Sequence, residues 1–142
     1  MNRILRWALA LVVVVGLAID AYNHFNVASQ YAGVKTSTVS QATLFRVEAA
    51  LAVLAAVLVV VWASRLSALF ALAVAGGGLI LLVLYRYVDV GRLGPIPDMY
   101  QPIWNVPGKK WSVVGEVIAI VGSLALLAHG FVGARSERRV RA

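Results

Sequence analysis

LFRVEAALAVLAAVLVVVWASRLSALFALAVAGGGLILLVLYR, residues 44–86, holds two long apolar runs separated by little more than Ser64 and Arg65. A hydrocarbon core about 30 Å thick is crossed by about 20 apolar helical residues, and each run supplies that length. The connection is too short for anything but a tight antiparallel hairpin. Two further runs of the same character flank it, so the expected spans are 4–22, 44–63, 66–85 and 113–131. The chain termini then lie on the same side as the Arg65 turn. Composition agrees, since 61% hydrophobic and 13% charged residues leave too little polar surface to cover a water-soluble domain of this size. The reading is an all-α fold, a single bundle of four transmembrane helices occupying 1–142.

Orientation follows from the charged flanks. The hairpin side carries Arg3, Arg6, Arg65, Arg135, Arg138, Arg139 and Arg141 against the single acid Glu137; the side of the two longer loops carries Lys35, Arg46, Arg86, Arg92, Lys109 and Lys110. Numbers alone nearly tie. The first helix usually dominates topology, and its basic flank is Arg3 and Arg6. Arg46 and Arg86, moreover, sit near acids and are expected to be paired. Both termini are therefore expected in the cytoplasm, in a multi-pass plasma-membrane protein. The start of the chain also resembles a secretory signal, but Ala18-Ile19-Asp20-Ala21-Tyr22 puts a charge and a bulky ring where cleavage wants small residues. A retained anchor is expected.

The net charge of +7 does not indicate nucleic acid, because the basic residues are dispersed over both ends and both loops rather than forming a stripe. They suit anionic lipid headgroups. Cysteine is absent, which excludes disulfides, thiolate metal sites and dithiol redox chemistry.

The acids are distributed unevenly. Asp20, Glu48, Asp89, Asp98 and Glu116 all fall toward the side of the longer loops, and counting about 1.5 Å per helical residue from the other end of each span places Glu48 and Glu116 below the membrane surface. A charge facing lipid at that depth costs several kcal/mol, so these groups should point into the bundle. Helical phase agrees. Steps of three and four from Glu48 reach Ala52, Ala55, Ala56 and Val59; from Glu116 they reach Ala119 and Ser123, beside Gly115 and Gly122. Arg86 steps back to Gly78, Ala75 and Ala71, and Asp20 to Gly16. Small faces are where membrane helices approach one another. The expectation is a polar cluster of Asp20, Arg46, Glu48, Arg86 and Glu116 with His24 just above, serving either as an ion-paired clasp or as a binding or proton-relay site.

No metal or cofactor is expected from sequence motifs. His24 and His129 lie near opposite membrane faces, too far apart to ligate one haem, and no ligand-spacing motif surrounds either. A mixed site of His24 with Glu48, Glu116 or Asp20 is geometrically possible. Enzyme signatures are missing too. Gly76-Gly77-Gly78 is mid-membrane with no following Lys-Ser/Thr, and no serine lies in a nucleophile elbow.

The least generic stretch is YRYVDVGRLGPIPDMYQPIW, residues 85–104. Its prolines and glycines forbid a regular helix, while Leu93, Ile96, Met99, Tyr100, Ile103 and Trp104 are too apolar for a solvated linker. An ordered Pro/Gly/aromatic outer loop between helices 3 and 4 is expected, with Asp89, Asp98, Tyr100 and Trp104 as candidates for a lid or docking surface. Nine of the thirteen aromatic residues fall on this side, as an interfacial belt requires.

The run RYVDVGRLGPIPDMYQPIW, with LFRVEAA at residues 44–50 and Glu116 in the last span, resembles small four-span membrane proteins of high-GC actinobacteria. That resemblance implies a multi-pass plasma-membrane protein and carries over no catalytic residue. Two functions remain open: a noncatalytic accessory or assembly subunit of a membrane complex, or a small binding or transport protein using the polar cluster for a proton, ion or lipid headgroup. The expected partner is the lipid bilayer, with a membrane protein or further copies of the chain as candidates.

Overall fold

The computed structural model describes residues 2–141, and their side chains apart from those of 131–137. Four helices follow in order: α1 (Arg3–Val27), α2 (Gln41–Trp62), α3 (Arg65–Tyr87) and α4 (Lys109–Arg141), with a short 3-10 turn, Ala28–Tyr31, after the first. No strand is present among the described residues. Each helix contains a stretch long and apolar enough to cross a membrane; at 1.5 Å per residue the 22 residues of α2 span about 33 Å. The chain is a four-helix, multi-span membrane protein.

The helices overrun the apolar runs at their polar ends. α1 continues past Tyr22 through Asn23 and His24, and α4 begins at Lys109 rather than Val113, because a helix need not stop where the hydrocarbon does. Caps fix the boundaries. Ser40 accepts a hydrogen bond from the Thr43 amide, Asn2 one from the Ile4 amide, and Ser64 with Ser67 forms a reciprocal capping box that starts α3. Between α2 and α3 only Ala63 and Ser64 remain, and Ala63 makes the reversal with a left-handed backbone, φ 42°. The expected hairpin is therefore present. α4 runs on to Arg141, ending in Arg138, Arg139 and Arg141, which complement the negative end of the helix dipole. The side chains of Arg135 and Glu137, counted in the charge argument, lie outside the described residues.

Packing follows the small faces. α1 packs most extensively on α4 and then on α2, α3 packs on α4 and on α2, and α1 scarcely meets α3. The four therefore form a ring in chain order. Gly16 meets α4 at backbone contact: a Cβ added there would lie 2.5 Å from the Ala119 nitrogen and 2.7 Å from the Gly115 oxygen. Gly122 lies against the side chains of Val13 and Val12. Ala52, Ala55 and Val59 of α2, Ala71 and Ala75 of α3, and Ala119 and Ser123 of α4 are all fully buried, which are the faces the phase argument selected. Large apolar side chains such as Val53, Val57, Leu69, Ile80 and Val121 point outward, as lipid contact requires.

Gly16→Val should separate α1 from α4 and lower stability in detergent by about 1–3 kcal/mol, the usual cost of overpacking. Gly76→Ala, where nothing lies within 4 Å of an added Cβ, should be neutral or gain up to about 1 kcal/mol of helix propensity. Denaturation midpoints of both variants in one detergent check the contrast.

Candidate functional site

At the loop end of the bundle, α1 presents Asp20, Asn23 and His24 on one face, one turn apart or less. Asp20 is fully buried, and the His24 Nδ1 lies 2.8 Å from its Oδ1 and 3.0 Å from its backbone oxygen. The ring stands edge-on to Phe45 of α2, with centroids 5.0 Å apart, and Tyr31 also packs on Phe45, with centroids 4.9 Å apart. From α4, Glu116 enters the same space, also fully buried. Glu48 of α2 completes the set.

Gly78 makes room for this convergence. A Cβ at that position would lie 2.7 Å from Glu116 Oε1 and 2.9 Å from Glu48 Oε1, so the two carboxylates share the hollow left by a missing side chain on α3. Asp20, His24 and Glu116 each offer a ligand atom, and those atoms lie within 4.8 Å of one another. Both oxygens of Asp20, both of Glu116 and Oε1 of Glu48 are buried without a hydrogen bond of acceptable geometry. Buried polar atoms are ordinarily paired. Three carboxylates and one imidazole, three of these four residues buried and the fourth half-buried, thus form an under-satisfied polar centre.

The arginines do not join it, which corrects the expected ion-paired cluster. Among the described residues the one ion pair is His24 with Asp20. Arg46 is exposed; two residues from Glu48 it lies about 200° around the helix, so the two cannot share a face. Arg86 instead lies over the Tyr87 ring at 4.7 Å and the Trp104 ring at 5.5 Å, as guanidiniums favour. His129 is half-buried near the hairpin end, remote from His24 as its sequence position implies.

Above the centre lies a cavity of about 320 Å³, reaching down to His24, Glu48 and Gly78. Its walls are mostly apolar, from Val27, Leu44, Phe45, Leu81, Leu82 and Met99, with Asn23, Gln41, Gln101, Lys109 and Ser112 as polar points. Asp20 and Glu116 sit beneath this floor. The loop between α3 and α4 closes over the cavity and is ordered, as expected. The Gln101 amide donates to the Tyr85 oxygen at 2.9 Å and its side chain to the Tyr31 hydroxyl at 3.3 Å. Thr36 donates to the Pro95 oxygen at 2.6 Å, tying this loop to the first one. Lys109 Nζ donates to the oxygens of Gln101 and Ile103.

The four lid candidates have distinct positions. Trp104 is half-buried, packed on Tyr87 and lying between the charges of Arg86 and Lys109. Tyr100 is at the rim, 38% exposed. Asp89 and Asp98 are exposed and accept from the amides of Gly91 and Tyr100 respectively, so they shape turns rather than face the cavity. Two buried residues were not anticipated. Asn23 donates to the Gly108 oxygen at 2.7 Å and to Ser112 Oγ at 2.5 Å, clamping the loop's end to α1. One further step outward along each face, from Asp20 to Asn23 and from Glu116 to Ser112, would have found both.

No known protein family matches the chain, and no curated protein or solved structure does either.

Lys109→Met removes the donor to two loop carbonyls. Cleavage within 91–107 by a protease added to detergent-solubilised protein should quicken several-fold and Trp104 emission should shift to the red, with helical circular dichroism unchanged.

Proposed function

We propose that this chain is a small binding or transport protein for a cation, whose site is the centre formed by Asp20, His24, Glu48 and Glu116. The observation that carries the reading is the meeting of three carboxylates with no arginine or lysine ion-paired to them among the described residues. Placing carboxylates in a low-dielectric interior costs several kcal/mol each unless positive charge accompanies them. A single imidazole is too little for three. Protons or a bound cation supply the remainder, and a cavity leads from the loop end to the floor where they would bind.

The other reading, an accessory or assembly subunit, would use small-residue faces and the outer loops as surfaces for a partner. The small faces of α1, α2 and α4 and part of that of α3 are occupied within the bundle itself, Gly16 against Gly115 and Ala119, and Ala52, Ala55, Ala71 and Ala75 in the core, which leaves the outer loops and the open side of Gly76 and Gly77 for such a partner. Charge placement supports a plasma-membrane setting with both termini cytoplasmic, which turns the cavity outward. The resemblance to small actinobacterial four-span proteins accords with that setting and adds no activity. Four helices enclose a site but no wide aqueous path, so translocation would call for a second copy.

Glu48→Gln with Glu116→Gln separates a cation site from a structural clasp. The double variant should stay folded and monodisperse, with its thermal midpoint held or raised because two buried charges are gone, while stabilisation by added cations or protons, present in the parent through preferential binding to the native state, disappears. A double variant that fails to fold would establish the clasp instead.

Topology is tested in the naturally cysteine-free chain. An impermeant maleimide should label Thr38→Cys in intact cells and Arg138→Cys only after permeabilisation. The reverse pattern would turn the cavity toward the cytoplasm.

A further inference from the structure

We propose that Asp20, His24 and Glu116, with Glu48 beside them, form a binding site for a divalent first-row transition-metal ion. The inference rests on the cation reading above and names the ion's class. Asp20 and His24 are i and i+4 on α1, so both project from one face, and Glu116 comes from α4, the helix held closest to α1. Their ligand atoms lie within 4.8 Å of one another. Bonds of 2.0–2.2 Å in a tetrahedral site place ligand atoms about 3.4 Å apart, so the most distant pair would draw together by about 1.4 Å at most.

A second observation, the lack of any N–H or hydroxyl donor to a buried carboxylate, points to a ligand as well. Glu116 is fully buried, no N–H or hydroxyl donor reaches either of its oxygens, its polar neighbour is the carboxyl of Asp20, and Oε1 faces the hollow at Gly78 together with Glu48 Oε1. A glycine at that point leaves space that even a methyl group would fill. The donor chemistry selects the ion: carboxylates with an imidazole suit zinc, manganese, iron or cobalt, whereas calcium and magnesium favour all-oxygen shells. Charge accords as well. A divalent ion balances two of the three carboxylates, and one proton balances the third. The support is rigid, because the backbones of α1 and α4 touch at Gly16 and Gly115 and the His24 ring is braced by Phe45, the arrangement that holds ligands in register.

The test uses the full chain without an affinity tag, stripped of metal in detergent and titrated with Co²⁺, whose visible bands report coordination by nitrogen and oxygen. One ion per chain is expected, with affinity lowered about 100-fold or more in Asp20→Asn and Glu116→Gln and unchanged in His129→Gln. Gly78→Ala, whose methyl group would press on the Glu116 and Glu48 oxygens while every ligand stays in the chain, should weaken binding too and decides the matter if the ligand variants do not fold. Absence of one-to-one binding in the parent, or equal affinity in the parent, the ligand variants and Gly78→Ala, overturns the metal site. If Co²⁺ fails to bind while the Glu48/Glu116 double variant still abolishes proton-linked stabilisation, the metal inference falls and the cation reading stands; if neither effect is seen, both fall.

Discussion

The close approach of α1 to α4 is the contact on which the rest of the molecule depends. In lipid there is little hydrophobic gain in joining two apolar helices, so association relies on dispersion contacts between surfaces that fit. Gly16 and Gly115 bring the two backbones into direct touch, Gly122 seats the side chains of Val12 and Val13, and the same contact sets Asp20 and His24 opposite Glu116 near one end. Farther along, Asn23 reaches across to Gly108 and Ser112. The packing that holds the bundle therefore also places the acids, and neither can be altered without the other.

That coupling explains a local conflict in the chain. Most interior positions are alanine, valine or glycine, chosen for fit, yet at one level the interior is strongly polar and incompletely hydrogen-bonded. Sequences that fold well keep their local choices consistent, and exceptions concentrate where function or strain resides. Ser123, fully buried with an unpaired hydroxyl, lies two turns along the same face of α4 from Glu116, about 10 Å deeper, and extends the unsatisfied polarity toward the bundle centre.

Much of this was readable from residue spacing. The four spans, the hairpin at Arg65 and the inward faces follow from run length and from steps of three and four, because lipid imposes those periodicities on every helix. Asp20, His24, Glu48 and Glu116 were legible for the same reason, being polar groups at depths where a lipid-facing charge is costly. The arginines misled. Proximity along the chain suggested pairing, whereas the 200° between Arg46 and Glu48, and the aromatic rings beside Arg86, decided otherwise. Gly78 shows the remaining gap: as a small residue it reads as helix packing, and only the three-dimensional fold reveals that what it admits is a pair of carboxylates from two other helices.

The two-residue connection at Ala63 and Ser64 has a mechanical consequence. It ties α2 and α3 at one end, while the cavity occupies the space between their far ends, around Phe45, Glu48, Leu82 and Tyr85. The pair is thus a lever with its fulcrum at the hairpin. A rotation of about 3° over the roughly 33 Å length of α2 carries its far end by about 1.7 Å, so a small change of angle at the apex is magnified at the mouth. Axial sliding is another matter, since so short a tie leaves no slack and keeps Glu48 at a constant height relative to Gly78. The geometry permits the mouth to widen or narrow while the floor stays in register.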